Sequence, residues 1–151
     1  MTMNNENYEH CKVIAENLEQ VASGDYFMYD GELFPIDTDD FSEVKGCRYD
    51  EEDDIYIMAD DEELFASDVY PVDILEWLGD VYDVEYTIGS DKEYRGVRIM
   101  IACGGPDIYI NTNSGDVELY WWGESARYPM SSNAINMIDS IYEKNVCLYV
   151  I

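Results

Sequence analysis

Apolar residues recur at helical spacing near the start of the chain. Between residues 5 and 22 they follow the three- and four-residue repeat of a helix that buries one face. Asn4 or Asn5 can cap this helix, and Gly24 can end it. The opposite face carries mostly glutamate, so the helix adds negative charge to the surface. The predicted buried positions are Tyr8, Cys11, Ile14, Ala15, Leu18 and Val21.

Two short apolar runs, 26–29 and 32–36, flank Asp30 and Gly31. This pair is typical of a tight β-hairpin, because both turn positions favour positive φ. Pro35 lacks an N–H group, which favours an edge position for its strand. We expect residues 37–54 to form a loop, 55–58 a strand, and 60–63 a polar segment or a helical turn.

Pro71 is suited to the first position of a second helix. Its narrow apolar stripe is predicted to contain Val72, Leu75, Leu78 and Val81.

The second half of the chain favours an antiparallel sheet. Segments 84–88 and 94–103 predict a hairpin around 89–92, and 108–110 and 117–121 continue a meander. Ser131 or Ser132 can cap a helix that buries Ala134, Ile135, Ile138, Ile141 and Tyr142. Residues 146–151 predict a final apolar strand. The whole chain, 1–151, is therefore expected to form a single α+β domain, with about three helices packed on one face of the sheet.

Charge is the extreme feature of the composition. The chain has 34 acidic and 8 basic residues in 151, a net charge of −26, yet 47% of its residues are hydrophobic and 14% aromatic. Disordered chains are poor in apolar and aromatic residues, so the protein is expected to fold. A surface this negative repels nucleic acid and anionic lipid, and it attracts basic proteins or cations.

The acidic residues are densest between residues 37 and 68, where 14 carboxylates face only Lys45 and Arg48. Apolar residues interrupt this stretch, which indicates a folded segment with a charged exterior. The Tyr120-Trp121-Trp122 run adds an aromatic candidate, because alternation along a strand would turn one large ring away from the core. Core packing is the alternative for these rings. The candidate partner-binding residues are Asp37, Asp39, Asp40, Glu43, Asp50, Glu51, Glu52, Asp53, Asp54, Asp60, Asp61, Glu62, Glu63 and Trp122.

Motifs for catalysis or cofactor binding are weak. His10 is the only histidine and lies on the first predicted helix, and a surface position is its alternative. Gly104-Gly105-Pro106 precedes a strand, whereas phosphate-binding glycine loops open a helix. The acidic runs lack the glycine and glutamate spacing of an EF-hand, and the four cysteines form no Cys-x-x-Cys pair. We expect no enzymatic activity, no cofactor and no dedicated metal site, although weak divalent cation binding stays open.

The first residues lack the basic and apolar regions of a signal peptide, and no run of about 18 apolar residues could span a membrane. A cytosolic protein with reduced thiols is therefore expected, without membrane contact.

Two interpretations of the acidic exterior remain. It can be a solvated surface that promotes solubility, or it can imitate nucleic acid. Duplex DNA carries one charge about every 1.7 Å of its axis, and a carboxylate array on a rigid scaffold can meet the same lysines and arginines.

Small, strongly acidic, tyrosine-rich chains of this kind resemble the DNA-mimicking anti-CRISPR and antirestriction proteins of phages and mobile elements. The second half also resembles a largely uncharacterised family carried on phages and conjugative elements of Gram-positive gut bacteria. That second resemblance rests on 104–112, beginning Gly104-Gly105-Pro106-Asp107, and on 117–123 and 126–129. It supplies no catalytic residues.

The resemblance implies a stoichiometric inhibitor in the bacterial host cytosol. Its partner would be a basic nucleic-acid-binding protein, a CRISPR effector or restriction nuclease, with no direct nucleic acid contact. The alternative is a non-catalytic interaction module that docks through the aromatic residues, with acidity serving solubility.

Overall fold

The computed structural model describes residues 2–36, 46–58 and 62–150. These ranges contain three α-helices, one 3-10 helix and ten strands in three antiparallel sheets, which confirms the α+β prediction. The helices are α1 (Thr2–Ser23), α2 (Ile74–Leu78) and α3 (Ser132–Val150), and the 3-10 helix spans Ala66–Asp68. The strands are β1 (Tyr26–Tyr29), β2 (Glu32–Pro35), β3 (Arg48–Asp50), β4 (Ile55–Ile57), β5 (Glu63–Phe65), β6 (Asp83–Ile88), β7 (Tyr94–Ala102), β8 (Asp107–Asn111), β9 (Asp116–Trp121) and β10 (Glu124–Pro129).

The large sheet contains the predicted meander of four strands, β6 to β9, and adds β10, a strand that the sequence analysis did not predict; the strand order is β10-β9-β8-β7-β6. Side chains alternate between its faces because successive residues of a strand point to opposite sides. One face is apolar, and its central side chains have no exposed surface: Val97, Ile99, Ile110, Val117 and Leu119. Buried residues of all three helices join these side chains in one core cluster. The other face is polar.

The helices α1 and α3 confirm the two helices that the spacing of apolar residues predicted. In α1 the predicted stripe is buried from Cys11 to Val21, whereas Tyr8 is 42% exposed. In α3 the cap is Ser131, whose Oγ accepts a hydrogen bond of 3.1 Å from the Ala134 N–H. The predicted final strand at 146–151 is wrong, because α3 continues to Val150. Val146 lies four residues after Tyr142 and is buried on the same helical face, which favours helix over strand.

A second, smaller core lies among β1, β2 and the three-stranded sheet β3-β4-β5. It contains Phe27, Phe34, Cys47, Tyr56 and Met58. The β1–β2 hairpin is as predicted, with positive φ at both turn residues, 53° at Asp30 and 78° at Gly31.

Three local predictions in the first half need correction. The strand β3 falls inside the predicted loop, and Glu63 begins a strand rather than ending the predicted polar segment or helical turn. The helix α2 begins at Ile74 rather than at Pro71, because the Asp73 side chain accepts a hydrogen bond from the Glu76 N–H and caps it there. This start turns Ile74 into the core at 0% exposure and leaves Leu75 48% exposed.

Candidate protein-binding surfaces

Residues 50–54, which we name the acidic hairpin, are the last residue of β3 and the four-residue turn that leads to β4. The four side chains of residues 51–54 are all exposed. Two hydrogen bonds fix the turn: Asp50 Oδ1 accepts from the Glu52 N–H at 3.0 Å, and the Ala66 N–H of the 3-10 helix donates to the Asp54 carbonyl at 2.9 Å. These bonds hold the carboxylates on a defined backbone.

Tyr49 adds a side-chain contact to the acidic hairpin, because its hydroxyl donates to Asp54 Oδ1. This hydrogen bond raises the pKa of Tyr49 to about 12. The hydroxyl is therefore a proton donor throughout the neutral range. Its ring lies 5.1 Å from that of Tyr56, which is buried in the smaller core. The tip of the acidic hairpin is in this way anchored to the core.

Glu62 and Glu63 lie at the opposite end of the same small sheet. Asp50 pairs with Ile55, whereas Glu63 pairs with Ile57, two residues further along β4. At about 3.3 Å per residue this separates the two acidic groups by roughly 7 Å along the strand. Both glutamates are exposed, and the Tyr29 hydroxyl donates to Glu62 Oε2 at 3.0 Å. The other predicted acids lie outside the described residues: Asp37, Asp39, Asp40, Glu43, Asp60 and Asp61.

Arginines of the large sheet pair with acidic residues of that sheet or of its β6–β7 loop. Arg95 contacts Asp91 at 2.6 Å, Arg98 contacts Glu118 at 3.3 Å, and Arg127 contacts Asp116 at 3.4 Å. Among the described residues, no lysine or arginine lies within ion-pair distance of the carboxylates at 51–54. The acidic hairpin therefore keeps its negative charge uncompensated by these arginines.

The polar face of the large sheet contains an ionic network that the sequence did not reveal. Glu118 is 2% exposed and lies at its centre. It accepts hydrogen bonds from the Tyr120 hydroxyl at 2.6 Å, from Asn111 Nδ2 at 2.7 Å and from Arg98 Nη2 at 3.3 Å. Arg127 Nη2 lies 3.6 Å away. Burial acts to raise the pKa of Glu118, but the hydrogen bonds from Tyr120 and Asn111 and the charge of Arg127 outweigh it, so the pKa is lowered.

Trp122 is the most exposed of the large hydrophobic residues described, at 79%. It lies in the two-residue turn between β9 and β10, with φ of 53° at Trp122 and 75° at Gly123. The ring is directed outwards by this turn rather than by strand alternation, since β9 ends at Trp121. The two indole rings are 5.4 Å apart at an interplanar angle of 72°.

The two tryptophans border a depression of about 670 Å³, which we name the aromatic cleft. It lies between the β7–β8 loop and the β9–β10 turn, and Asp107, Tyr120 and Glu124 also line it. A Cβ atom on Gly105 would lie 3.1 Å from the Trp121 ring, so glycine permits this close approach. The turn at Trp122 and Gly123 brings Glu124 opposite Trp121 in the β9–β10 pairing. Gly123 was the signal that could have placed a tight turn before Glu124, because glycine favours the positive φ of hairpin turns.

Polar atoms of the aromatic cleft are only partly satisfied. Asp107 Oδ1 accepts a hydrogen bond of 2.8 Å from the Gly104 N–H. Glu124 Oε2 is shielded from solvent and has no hydrogen-bond partner in the described part of the chain. The cleft thus combines aromatic rings with two carboxylates.

His10 and Cys11 are neighbours on α1, but one side chain is exposed and the other is buried. His10 is exposed on α1, and burial raises the pKa of the Cys11 thiol to about 11. Within the described ranges, no three histidine, cysteine, aspartate or glutamate side chains are grouped as metal ligands. None of the helices in these ranges combines the length and apolar character needed to cross a membrane.

Comparisons of the chain with protein-family models, with curated proteins and with solved structures found no match.

Proposed function

We propose that the protein is a stoichiometric inhibitor of an anti-defence type, which binds the nucleic-acid channel of a CRISPR effector or restriction nuclease through the acidic hairpin. It acts without chemistry, by occupying lysines and arginines that otherwise hold phosphates. The observation that carries the proposal is the exposure of four consecutive carboxylates, 51–54, on a turn that is fixed by hydrogen bonds from Glu52 and Ala66.

Charge and rigidity both support this proposal. The net charge of −26 provides long-range attraction to a basic channel, and such attraction accelerates association at low salt. The arginines of the large sheet are paired away from the acidic hairpin, so binding need not first break an ion pair with them. A fixed turn loses less conformational entropy on binding than a flexible acidic tail.

The test compares two triple variants with the same change in net charge. Glu51→Gln/Glu52→Gln/Asp53→Asn removes three charges from the acidic hairpin and retains Asp54, the partner of Tyr49. The control, Glu6→Gln/Glu9→Gln/Glu16→Gln, removes three exposed charges from α1. Exposed ion pairs contribute about 0–1 kcal/mol each, so the hairpin variant should lose roughly tenfold in affinity while the control stays within about twofold.

The measurement is a pull-down from bacterial lysate at about 50 mM and about 200 mM NaCl, followed by competition with duplex DNA for each protein recovered. A DNA-binding nuclease recovered mainly at the lower salt, and released from DNA by the inhibitor, is the expected result. Equal losses for both triple variants would show that total charge, rather than the acidic hairpin, is responsible. Recovery of no basic partner would contradict the proposal.

A second candidate function is a non-mimic interaction module that docks through the aromatic cleft. The 79% exposure of Trp122 favours it, because exposed tryptophans are enriched among residues that dominate interface energies. Lysine substitutions at residues 50–54 would then leave binding nearly intact, and Trp122→Ala would abolish it. Catalytic turnover that survives dialysis against a chelator would instead favour an enzyme.

A further inference from the structure

We infer that the aromatic cleft binds the guanidinium group of an arginine side chain presented by the partner protein. This inference deepens the proposed function and rests on it for the identity of the partner, although the chemistry of the cleft can be tested on the isolated protein. The two indole rings and the carboxylates of Asp107 and Glu124 define the site.

The rings provide the first part of the argument. An indole face attracts a cation within about 6 Å of its centroid, and tryptophan is the strongest of the aromatic side chains in this role. Trp121 and Trp122 lie edge to face at 72°, so they border the cleft in two different orientations. Trp122 presents most of its surface to solvent and can therefore meet a side chain from outside.

The carboxylates provide the second part. Glu124 Oε2 has no hydrogen-bond partner in the described chain, and buried polar atoms normally have one. A guanidinium carries several N–H donors in one plane, so it can stack on a ring and donate to a carboxylate at the same time. A rotation of the Glu124 side chain towards the cleft would supply the missing partner. The negative charge of Asp107 favours a cation at the same place.

The protein already makes this combination of contacts internally. On the polar face of the large sheet, the Arg98 guanidinium carbon lies 3.6 Å from the centroid of the Tyr109 ring. The same guanidinium donates to Glu118 at 3.3 Å. The aromatic cleft places rings and carboxylates together in an analogous way. No arginine of the described residues forms an ion pair with Glu124.

Arginine is favoured over lysine on physical grounds. The guanidinium is planar and weakly hydrated, whereas the lysine ammonium is compact and strongly hydrated. Stacking on an indole therefore costs arginine less hydration. The arginine-rich channels of nucleic-acid-binding proteins present such side chains, which connects the cleft to the partner class proposed above.

The experiment titrates ¹⁵N-labelled protein with N-acetyl-L-arginine amide at about 150 mM NaCl, where the Debye length of about 8 Å limits diffuse attraction. N-acetyl-L-lysine amide, which has the same charge, is the matched probe. We expect the arginine probe to shift the Trp121 and Trp122 indole N–H signals and the amides of Gly105 and Glu124. The lysine probe should bind severalfold more weakly.

Three variants localise the binding. Glu124→Gln and Trp122→Gly should each weaken the arginine probe about fivefold, and glycine is compatible with the positive φ at position 122. Tyr82→Ala removes a 67% exposed aromatic residue outside the cleft and should change nothing. The spectra also report whether each variant is folded. If Trp122→Gly disturbs the turn, Glu124→Gln still tests the site, because it preserves the size of the side chain.

The inference would be overturned if the arginine probe shifted signals over the whole acidic surface and neither cleft variant changed these shifts. Equal affinity for the arginine and lysine probes would also overturn it. The triple variant of the acidic hairpin separates the two proposals. This variant should leave binding of the arginine probe at the cleft unchanged, whereas its affinity for the nuclease should fall. A cleft that fails to bind arginine leaves the inhibitor proposal standing, and specific probe binding without a nuclease partner supports the cleft alone.

Discussion

Glu118 lies on the polar face of the large sheet, yet only 2% of its surface is exposed. An isolated buried carboxylate would be strongly unfavourable, because burial removes its hydration. Here Tyr120, Asn111 and Arg98 donate hydrogen bonds to it, and Arg127 contributes positive charge from β10. Its partners come from β7, β8, β9 and β10, so this residue connects four strands.

We predict that Glu118→Gln destabilises the fold by about 1.5–3 kcal/mol near neutral pH, the usual contribution of hydrogen bonds to a charged group. The pKa of Glu118 is lowered in the folded state, so its contribution is present above its ordinary pKa of 4.5 and is lost as the pH falls further. Urea unfolding at about pH 7 and about pH 3 should therefore show a difference from wild type that shrinks in acid. Asp83→Asn, at an exposed position of β6, serves as the control and should change stability by less than about 0.5 kcal/mol. If the difference in the free energy of unfolding between Glu118→Gln and wild type did not depend on pH, the lost stability would come from packing rather than from charge.

The sequence could not single out Glu118 among its 34 acidic residues. Its alternation with Val117 and Leu119 places it on the polar face, but its partners depend on the register of four strands. Trp122 was identified because strand alternation was expected to turn one of the large neighbouring rings away from the core; it is exposed, but a turn rather than alternation directs it outwards. Glu124 escaped notice because its importance comes from lying opposite Trp121, a contact that pairing creates.

At the scale of elements, the start of α3 joins two helices. Ser131 Oγ accepts from the Ala134 N–H at 3.1 Å and its hydroxyl donates to Glu19 of α1. The cap satisfies an N–H group that has no partner within the helix. One side chain therefore caps α3 and contacts α1.

Ser131→Ala should lower the free energy of unfolding by about 1–2 kcal/mol, because it removes both the cap and the contact with Glu19. Ser132→Ala changes an exposed hydroxyl one residue away and should cost less than about 0.5 kcal/mol. Chemical denaturation followed by circular dichroism measures both. If the two variants lose equal stability, the cap at Ser131 is not the source of the effect.

Element prediction succeeded where a pattern was long and failed where it was short. The helix α1 and the meander from β6 to β9 repeat their periods over many residues, so single exceptions do not hide them. The strands β3 and β5 contain three residues each and are too short to show an alternation. The 146–150 segment is apolar on every side, and only its spacing from Tyr142 distinguishes helix from strand.

At the scale of the whole molecule, two apolar cores hold together a chain of net charge −26. The charge total was available from composition, but its arrangement was not. The structure places acidic residues on the exposed hairpin, along α1, in the internal network around Glu118 and in the aromatic cleft. In the hairpin, the carboxylates of residues 51–54 are consecutive and all exposed, and no arginine of the described ranges pairs with them.

We predict that salt stabilises this protein, because screening weakens the repulsion among its carboxylates. The Debye length falls from about 30 Å at 0.01 M to about 3 Å at 1 M salt, a range that spans the separations between charges on a small protein. Raising NaCl over this range should stabilise the fold by on the order of 1 kcal/mol and raise Tm by a few degrees. Near pH 4.5, close to the ordinary carboxylate pKa values of about 3.9 and 4.3, the net charge is smaller and the gain should be smaller too. Thermal unfolding at about pH 7 and about pH 4.5, each at low and high NaCl, measures the difference in the salt-dependent gain. Equal stabilisation by salt at both pH values would show that salt acts on the hydration of apolar surface instead. Repulsion within the acidic exterior would then not reduce the stability of the fold, and a basic partner would relieve no such repulsion.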